Sequence, residues 1–292
     1  MIDLRQLRYF VTVAETLHFS RAAELLNVTQ PPLSRQIAAL EKELGVVLIE
    51  RHSRRVRLTH AGERFLVDAR AVLAGVDQAC RNAKAAQAGD LGELMVGFMM
   101  HAAYSSVPAL TRRMLDKHPG LKLHLRETLP PLLVAAVLDG RFDAGISFDP
   151  GSVRGLSSKV IHRETLCLAA PSGHRLATHD QVVPEDLRDE PLIMSSTEAA
   201  PSLRRAITDY LMPNGEDLPI RLETQLQQTV VSLVGEGIGI ALVPQSLQSL
   251  ALAGVSYIPL MAPPVVEHRL LWRSGNSNPA LGPFLDAAEA LS

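Results

Sequence analysis

The sequence predicts an α/β protein with three parts: a small N-terminal domain, a long connecting helix and a larger α/β body. Three observations support this prediction. Helical spacing with helix-capping residues fills the first 45 positions, a second helical pattern runs from 59 to 86, and short apolar strands alternate with helices after position 93. The chain of 292 residues is long enough for two or three domains of roughly 100–150 residues each.

Composition narrows the class of protein. Apolar residues make up 47% of the chain and charged residues 21%, which is typical of globular proteins and excludes extended disorder. No segment approaches the roughly 18 consecutive apolar residues of a membrane helix, and the N-terminus lacks an export signal. The two cysteines, Cys80 and Cys167, have no metal-ligand spacing. We therefore expect a cytoplasmic protein without a cofactor, a bound metal or a membrane partner.

The charge is unevenly distributed along the chain. Residues 1–60 contain nine basic and six acidic residues, whereas the whole chain carries a net charge of -2. Four of these nine basic residues are arginines between Arg51 and Arg57. A basic N-terminal domain attached to an acidic body indicates that the domain contacts a polyanion.

The N-terminal domain, expected over residues 1–60, opens with three short helices. The first is amphipathic, and Ser20 is expected to cap a second helix over 21–26. Thr29 is expected to cap a third helix, whose first turn contains two prolines and which ends at Gly45. Two short helices joined by a tight turn, the second led by small polar side chains, indicate a helix-turn-helix.

The third helix has an apolar stripe and a polar N-terminal face. The stripe comprises Leu33, Ile37, Leu40 and Leu44, and the residues off it are Thr29, Gln30, Ser34 and Arg35. A glutamine can pair with adenine and an arginine with guanine in the major groove. The positive end of the helix with its N–H groups also suits a phosphate. This face is therefore the predicted reader of duplex DNA.

A basic hairpin is predicted after Gly45. Apolar segments at 46–49 and 56–58 flank a tip that contains Arg54 and Arg55, which is typical of the wing of a winged helix-turn-helix. Arginines at such a tip reach phosphates or the minor groove. The alternative is that they only solvate a loop.

The segment from Leu7 to Gly62 resembles the N-terminal domain of LysR-type transcriptional regulators, and most closely the aromatic-catabolism regulators of that family. The resemblance rests on the runs LRYF, HFSRAA, LNVTQPPLSRQI, LT and AG in this stretch. It implies a winged helix-turn-helix, a dimerising linker helix and an effector domain built like a periplasmic binding protein. The expected DNA contacts are Ser20, Arg21, Thr29, Gln30, Pro31, Ser34, Arg35, Arg51, Arg54 and Arg55.

The linker, expected over residues 61–92, is predicted to be a long helix that Thr59 caps. Its heptad stripe comprises Phe65, Ala69, Val72, Val76, Ala79, Ala83 and Ala86. We expect this stripe to pair with a second subunit, which makes the protein a homodimer. The alternative is that it packs on its own chain. The family resemblance further implies a homotetramer.

The body, residues 93–292, is predicted to hold a parallel sheet. Strands are expected at 94–98, 121–126 and after Gly140, with helices between them. Further strands are expected from 166, at 191–194, 220–223, after a glycine-rich turn near 240 and at 266–272, with a last helix over 283–291. The resemblance, extended here by GRFD and LVGEGIG, implies two lobes: lobe one is 93–162 plus 266–292, and lobe two is 163–265.

Effectors of such sheets bind beyond the carboxyl ends of the strands, between the lobes. The expected site residues are Met99, Met100, His101, Ala102, Thr128, Leu129, Pro130, Ser147, Phe148, Ser195, Thr224, Gln225 and Gln227. Relatives that bind carboxylates carry hydroxyls at His101, Leu129 and Pro130 and an arginine at Phe148. A protonated His101 could replace one of these partners, or it is an ordinary loop residue. The departures favour an apolar or aromatic effector, such as an apolar-aromatic acid.

Together with the resemblance, the residues predict a regulator that binds a double-stranded operator. The resemblance further implies a small-molecule effector and RNA polymerase as partners. An enzyme with a DNA-binding domain is the first alternative, although GxSxG, HExxH, P-loop and CxxC motifs are absent from the sequence. A redox sensor acting through Cys167 is the second alternative. Its apolar neighbours predict a buried and unreactive thiol.

Overall fold

The computed structural model describes residues 2–52, 55–88, 92–212 and 218–289. Its internal contacts divide the chain into two units, Met1–Lys84 with Asp139–Arg141, and Ala85–Leu138 with Phe142–Ser292. In the described residues, no helix is both long enough and apolar enough to cross a membrane.

The first unit contains the three predicted helices, the hairpin and most of the long helix. Its elements are α1 (Leu4–Thr16), α2 (Phe19–Leu25), α3 (Gln30–Leu44), β1 (Ile49–His52), β2 (Arg55–Leu58) and α4 (His60–Ala88). α1 begins with a capping box between Asp3 and Gln6. α3 ends at Gly45, whose φ of 72° is the left-handed conformation that favours glycine.

The cap of α2 differs from the prediction. The helix begins two residues earlier than expected, and His18 rather than Ser20 is its N-cap. The Nδ1 atom of His18 accepts a hydrogen bond from the amide of Arg21 at 3.2 Å. An unprotonated ring nitrogen can satisfy a helix-end amide as a hydroxyl does, and Ser20 therefore lies inside the helix with its side chain exposed.

The hairpin is shorter than the predicted one. β1 starts at Ile49, and Val46 and Val47 are exposed residues outside it. A carboxylate oxygen of Glu41 accepts hydrogen bonds from the amides of Leu48 and Ile49, at 2.9 and 3.0 Å. These two bonds tie this segment to the end of α3, and the pairing of the hairpin starts only at Ile49.

The predicted stripe of α4 is only partly available to another subunit. Phe65 packs on Phe10 of α1 with ring centroids 5.2 Å apart, and Ala69 is buried in the same core. Ala69 is buried in that core and Phe65 is half-buried against it, so the start of the stripe packs at least in part on its own domain. Val72 is 49% exposed and lies further along the same stripe. The structure does not describe the side chain of Ala86.

The second unit is a mixed α/β body. Its helices are α5 (Ser106–Lys117), α6 (Pro130–Leu138), α7 (Pro201–Leu211), α8 (Gln227–Gly235) and α9 (Leu281–Glu289). Its strands are β3 (Glu93–Phe98), β4 (Lys122–Glu127), β5 (Ala144–Phe148), β6 (Leu156–Pro171), β7 (Leu192–Ser195), β8 (Ile220–Thr224), β9 (Ala241–Pro244), β10 (Val255–Pro259) and β11 (Val265–Arg273). β4, β3 and β5 are parallel, as the βαβαβ pattern predicts, and β11 is antiparallel to β5.

The strand β6 joins the two lobes. It has 16 residues and begins ten positions before the predicted start at 166, so that prediction is wrong. Its first half pairs with β11, and its second half pairs with β9 and β10. In the described structure the first half has a partner on one side, and such an edge tolerates the polar residues that hid it from the sequence pattern.

Lobe one has a hydrophobic core of its own, and a second core is shared between the lobes. Val96, Leu110 and Phe284 belong to the cluster between β3, α5 and α9 in lobe one. Leu203 of α7 and Leu242 of β9 belong to the second cluster, which also contains Met99, Leu133 and Phe148 of lobe one. α7 and β10 were not predicted. The carboxyl ends of β3 and β5 lie in the sheet that α6 packs on. The lobe-two strands β9 and β10 join this sheet through β6.

Candidate DNA interface and effector cleft

The two faces of α3 have opposite environments. Leu33, Ile37 and Leu40 have no exposed surface. The predicted contacts Thr29, Gln30, Pro31 and Arg35 are exposed, and Ser34 is half-buried. The apolar spacing of the helix thus fixes one face in the domain core and leaves the N-terminal polar face outward. That arrangement is the one a recognition helix needs.

At the N-terminus of α3, side-chain groups are more available to a ligand than backbone amides are. Thr29 occupies the cap position but makes no side-chain cap hydrogen bond. Pro31 and Pro32 have no N–H, so two of the amides that would otherwise face an anion are missing. The hydroxyl of Ser20 in α2 donates a hydrogen bond to the side-chain oxygen of Gln30 at 3.3 Å. This end of α3 therefore offers a ligand chiefly side-chain groups.

The wing is described only in part. Arg54 lies outside the described residues, as do the side chains of Arg51 and Arg55, although both residues belong to the strands of the hairpin. Arg57 of β2 is exposed. Arg21, another predicted contact, is exposed on α2.

A cavity of about 170 Å³ lies where β3 and β5 end. Its residues are Met99, Pro131, Val134, Ser147, Phe148, Asp149, Pro150, Glu198, Ala199, Ala200 and Pro201. We call it the effector cleft. Of the predicted effector residues it contains Met99, Ser147 and Phe148. The segment 198–201 comes from lobe two, just before α7, and was missed because α7 itself was not predicted.

His101 is not the protonated anion partner that was considered from the sequence. It is buried, its ring stacks on Phe148 with centroids 3.7 Å apart, and it meets His268 edge-on at 4.6 Å. Burial, and secondly the neighbouring His268, hold the pKa of His101 well below its usual range. Its Nε2 atom has no hydrogen-bond partner among the described residues. His101 therefore supports the Phe148 wall as a neutral ring.

Other predicted effector residues lie outside the cleft. Ser195 and Gln227 are buried and hydrogen-bonded to each other. Ala102 is part of the lobe-one core. The remaining ones do not border the cavity: Met100, Thr128, Leu129 and Thr224 are half-buried, Gln225 is exposed, and the side chain of Pro130 lies outside the described residues.

A buried ionic cluster between β6 and β11 was missed from the sequence. Glu164 Oε1 lies 2.7 Å from His268 Nε2, and Glu164 Oε2 accepts a hydrogen bond from the amide of Ser246 at 2.8 Å. Burial raises the pKa of Glu164, but His268 and Ser246 outweigh it, so the pKa is lowered overall. The partners are over 80 positions apart in sequence, which local patterns do not detect.

The thiol of Cys167 is buried on β6. Burial raises its pKa to about 11, which disfavours the reactive thiolate. Among the described residues, no group of three His, Cys, Asp or Glu side chains is arranged to hold a metal ion.

Comparisons with known proteins identify the family. The family model for the bacterial regulatory helix-turn-helix protein, lysR family, matches residues 4–63, and that for the LysR substrate binding domain matches residues 87–292. The HTH-type transcriptional regulator IlvR of Caulobacter vibrioides is 38% identical over 96% of this chain and 95% of its own. The HTH-type transcriptional regulator AlsR of Bacillus subtilis is 37% identical over 97% of this chain and 94% of its own.

A solved structure agrees with these relatives. Full-length CbnR complexed with its target DNA is similar to this chain, with a TM-score of 0.80 and 28% identity over 100% of both chains. The fold is that of a DNA-binding transcriptional regulator with an effector-binding domain. The chain belongs to the LysR family of transcriptional regulators, which is a family of regulators and not of enzymes.

Proposed function

We propose that the N-terminal face of α3 reads the major groove of an operator duplex, and that an effector in the effector cleft changes this binding. The observation that carries the first part is the division of α3 into a fully buried apolar face and an exposed face with Gln30 and Arg35. These two side chains can each form paired hydrogen bonds with a base. The wing arginines hold the phosphates on the adjacent backbone.

The protein acts in the cytoplasm as a homodimer joined through α4, and two dimers form a homotetramer. The exposed Val72 and the half-buried Val76 support pairing over the later part of α4. A dimer presents two reading helices to the two halves of an operator. RNA polymerase is a further partner of the assembly on DNA. The proposed domain boundaries are 1–60 for DNA binding, 61–92 for the linker and 93–292 for effector binding.

The effector is a small molecule held between the two lobes. Support comes from the cleft, where strand ends of lobe one meet the segment 198–201 of lobe two. An effector that binds the closed arrangement more tightly than the open one shifts the population toward closure. The continuous strand β6 would transmit that shift, because both lobes pair with it.

Fluorescence anisotropy with the intergenic duplex next to the gene tests the DNA part. Arg35→Ala is expected to weaken specific binding by about 1–3 kcal/mol, while a scrambled duplex is affected little. Lys42→Ala is the matched control, because Lys42 is an exposed cation in the last turn of the same helix. Unchanged operator binding by Arg35→Ala would show that the reading face lies elsewhere.

A further inference from the structure

The effector cleft has a charge that selects its ligand. Its lining contains two carboxylates, Asp149 and Glu198, and no lysine, arginine or histidine. The Nε atom of Arg269 lies 3.6 Å from Asp149 Oδ1. The other two nitrogens of this guanidinium are already in use, because Nη2 donates to Glu267 and Nη1 donates to Ser158, both at 3.1 Å. Glu198 is exposed and forms no hydrogen bond or ion pair with the described residues. A ligand carboxylate would therefore meet repulsion where an ammonium would find a partner.

The helix ends beside the cleft carry prolines where amide N–H groups would otherwise help to hold an anion. α6 begins with Pro130 and Pro131, and α7 begins with Pro201. Proline has no N–H, so these first turns cannot donate at those positions. The amides of Ala199 and Ala200 already donate to the carbonyl of Ser196, at 3.1 and 3.2 Å. Fewer backbone donors are therefore available to a carboxylate at these two helix ends.

The polar oxygens that remain are acceptors. The hydroxyl of Ser147 donates its proton to the carbonyl of Phe148, which leaves lone pairs for a ligand. The amide of Gly151 donates to Asp149 Oδ1 at 3.0 Å, and the second oxygen of that carboxylate has no such bond. Acceptors without donors suit a ligand that brings its own N–H groups.

The walls suit a small apolar body next to a positive charge. Met99, Val134 and the ring of Phe148 border the cavity. An aromatic face attracts a cation as well as an apolar group. An apolar cavity of about 150 Å³ is known to hold one benzene ring, and the volume here is about 170 Å³.

We propose that the effector is a protonated primary amine with a small apolar or single-ring body. Glu198 is the carboxylate that pairs with its ammonium, and Asp149 is the second one. This inference rests on the proposed effector function, since it names the ligand class of the same cleft. The lining favours such an amine over the apolar-aromatic acid expected from the sequence.

Three probes of one shape test the proposal with the full chain at neutral pH: benzylamine, benzyl alcohol and benzoate. Thermal shift and titration calorimetry are expected to show benzylamine binding roughly tenfold more tightly than benzoate. Glu198→Gln is expected to weaken benzylamine by roughly fivefold to tenfold and to leave benzyl alcohol within about twofold. Glu236→Gln, an exposed carboxylate in the same lobe outside the cleft, is the control.

A variant that fills the cavity distinguishes the amine assignment from the proposed effector function. Val134→Trp is expected to abolish binding of every probe, and circular dichroism reports whether this variant folds. If benzoate binds more tightly than benzylamine and Val134→Trp abolishes it, the amine assignment is wrong and the cleft remains the effector site. If Glu198→Gln leaves benzylamine binding unchanged, the amine assignment is also wrong. If no probe binds in the cleft, the amine assignment and the proposed effector role both fail.

Discussion

His101 is held uncharged by its position beneath Phe148. The unfolded chain exposes this ring to water, where its pKa returns to the reference value of 6.5. Below that pH the unfolded state binds a proton that the folded state does not. Folding stability is therefore full above the reference value and falls as the pH drops below it. His162 adds to the same trend, because burial and then His268 lower its pKa while Glu164 partly opposes them.

We predict that His101→Phe reduces the loss of stability at acidic pH. The buried His101 contributes at most about 1.4 kcal/mol per pH unit between its two pKa values. Urea unfolding one pH unit above and one below 6.5 measures the difference for the wild type and the variant. His179→Phe, an exposed position, is the control. An unchanged pH dependence in His101→Phe would contradict the assignment.

At the scale of single site residues, the sequence predicted those that follow a strand. Met99, Ser147 and Phe148 were found because each ends a strong apolar strand, and ligands bind beyond strand ends. Glu198 was not found, because its place in the cleft depends on the packing of lobe two against β5. The partner of Glu164, His268, likewise comes from a strand more than a hundred positions away.

Among the elements, those with a strong period were predicted and those with mixed faces were not. α3 has a single apolar stripe, and β3 is a short apolar run, so both were located within a residue or two. The first half of β6 has half-buried polar residues on both faces and was not predicted as part of a strand. α7 has Leu203 and Ile207 at helical spacing, a signal that was present and not used.

The later part of α4 gives a prediction about assembly. Val72→Asn combined with Val76→Asn is expected to convert the dimer to a monomer, because it places amides in an apolar stripe between two helices. Light scattering on a sizing column measures the mass. Val67→Asn is the control, because Val67 is an exposed valine on the opposite side of α4. A dimer that survives the double change would exclude this part of α4 as the interface.

The wing gives a prediction about salt. Arg54→Ala and Arg55→Ala are each expected to lower the salt dependence of operator binding by about one charge and to leave sequence preference largely intact. Binding titrations over a series of salt concentrations measure the slope. Arg112→Ala, an exposed arginine in the second unit, is expected to leave the slope unchanged. A loss of sequence preference in either wing variant would mean that the wing reads bases.

On the scale of the whole molecule, the two units have separate hydrophobic cores. Phe10, Leu33 and Ile37 belong to the core of the first unit. Leu270 belongs to a core of the second unit. Because domains with their own cores can unfold independently, the two units are expected to have distinct thermal transitions.

We predict that Leu33→Ala lowers the transition temperature of the first unit alone. The loss is about 2–5 kcal/mol, as for other fully buried leucines, since Leu33 has no exposed surface. Differential scanning calorimetry of the full chain measures both transitions. Leu270→Ala is the reciprocal control and is expected to move only the second. Transitions that shift together in both variants would show that the chain unfolds as one cooperative unit.

The two prolines at the start of α3 have a consequence before any duplex is bound. Each ring fixes φ near −65°, so Pro31 and Pro32 leave the first turn few alternative conformations in the free protein. Fixing an ordinary residue costs about 1–2 kcal/mol of backbone entropy. Proline restricts the unfolded chain, so this turn loses less entropy on folding, and the free protein already holds it in one shape.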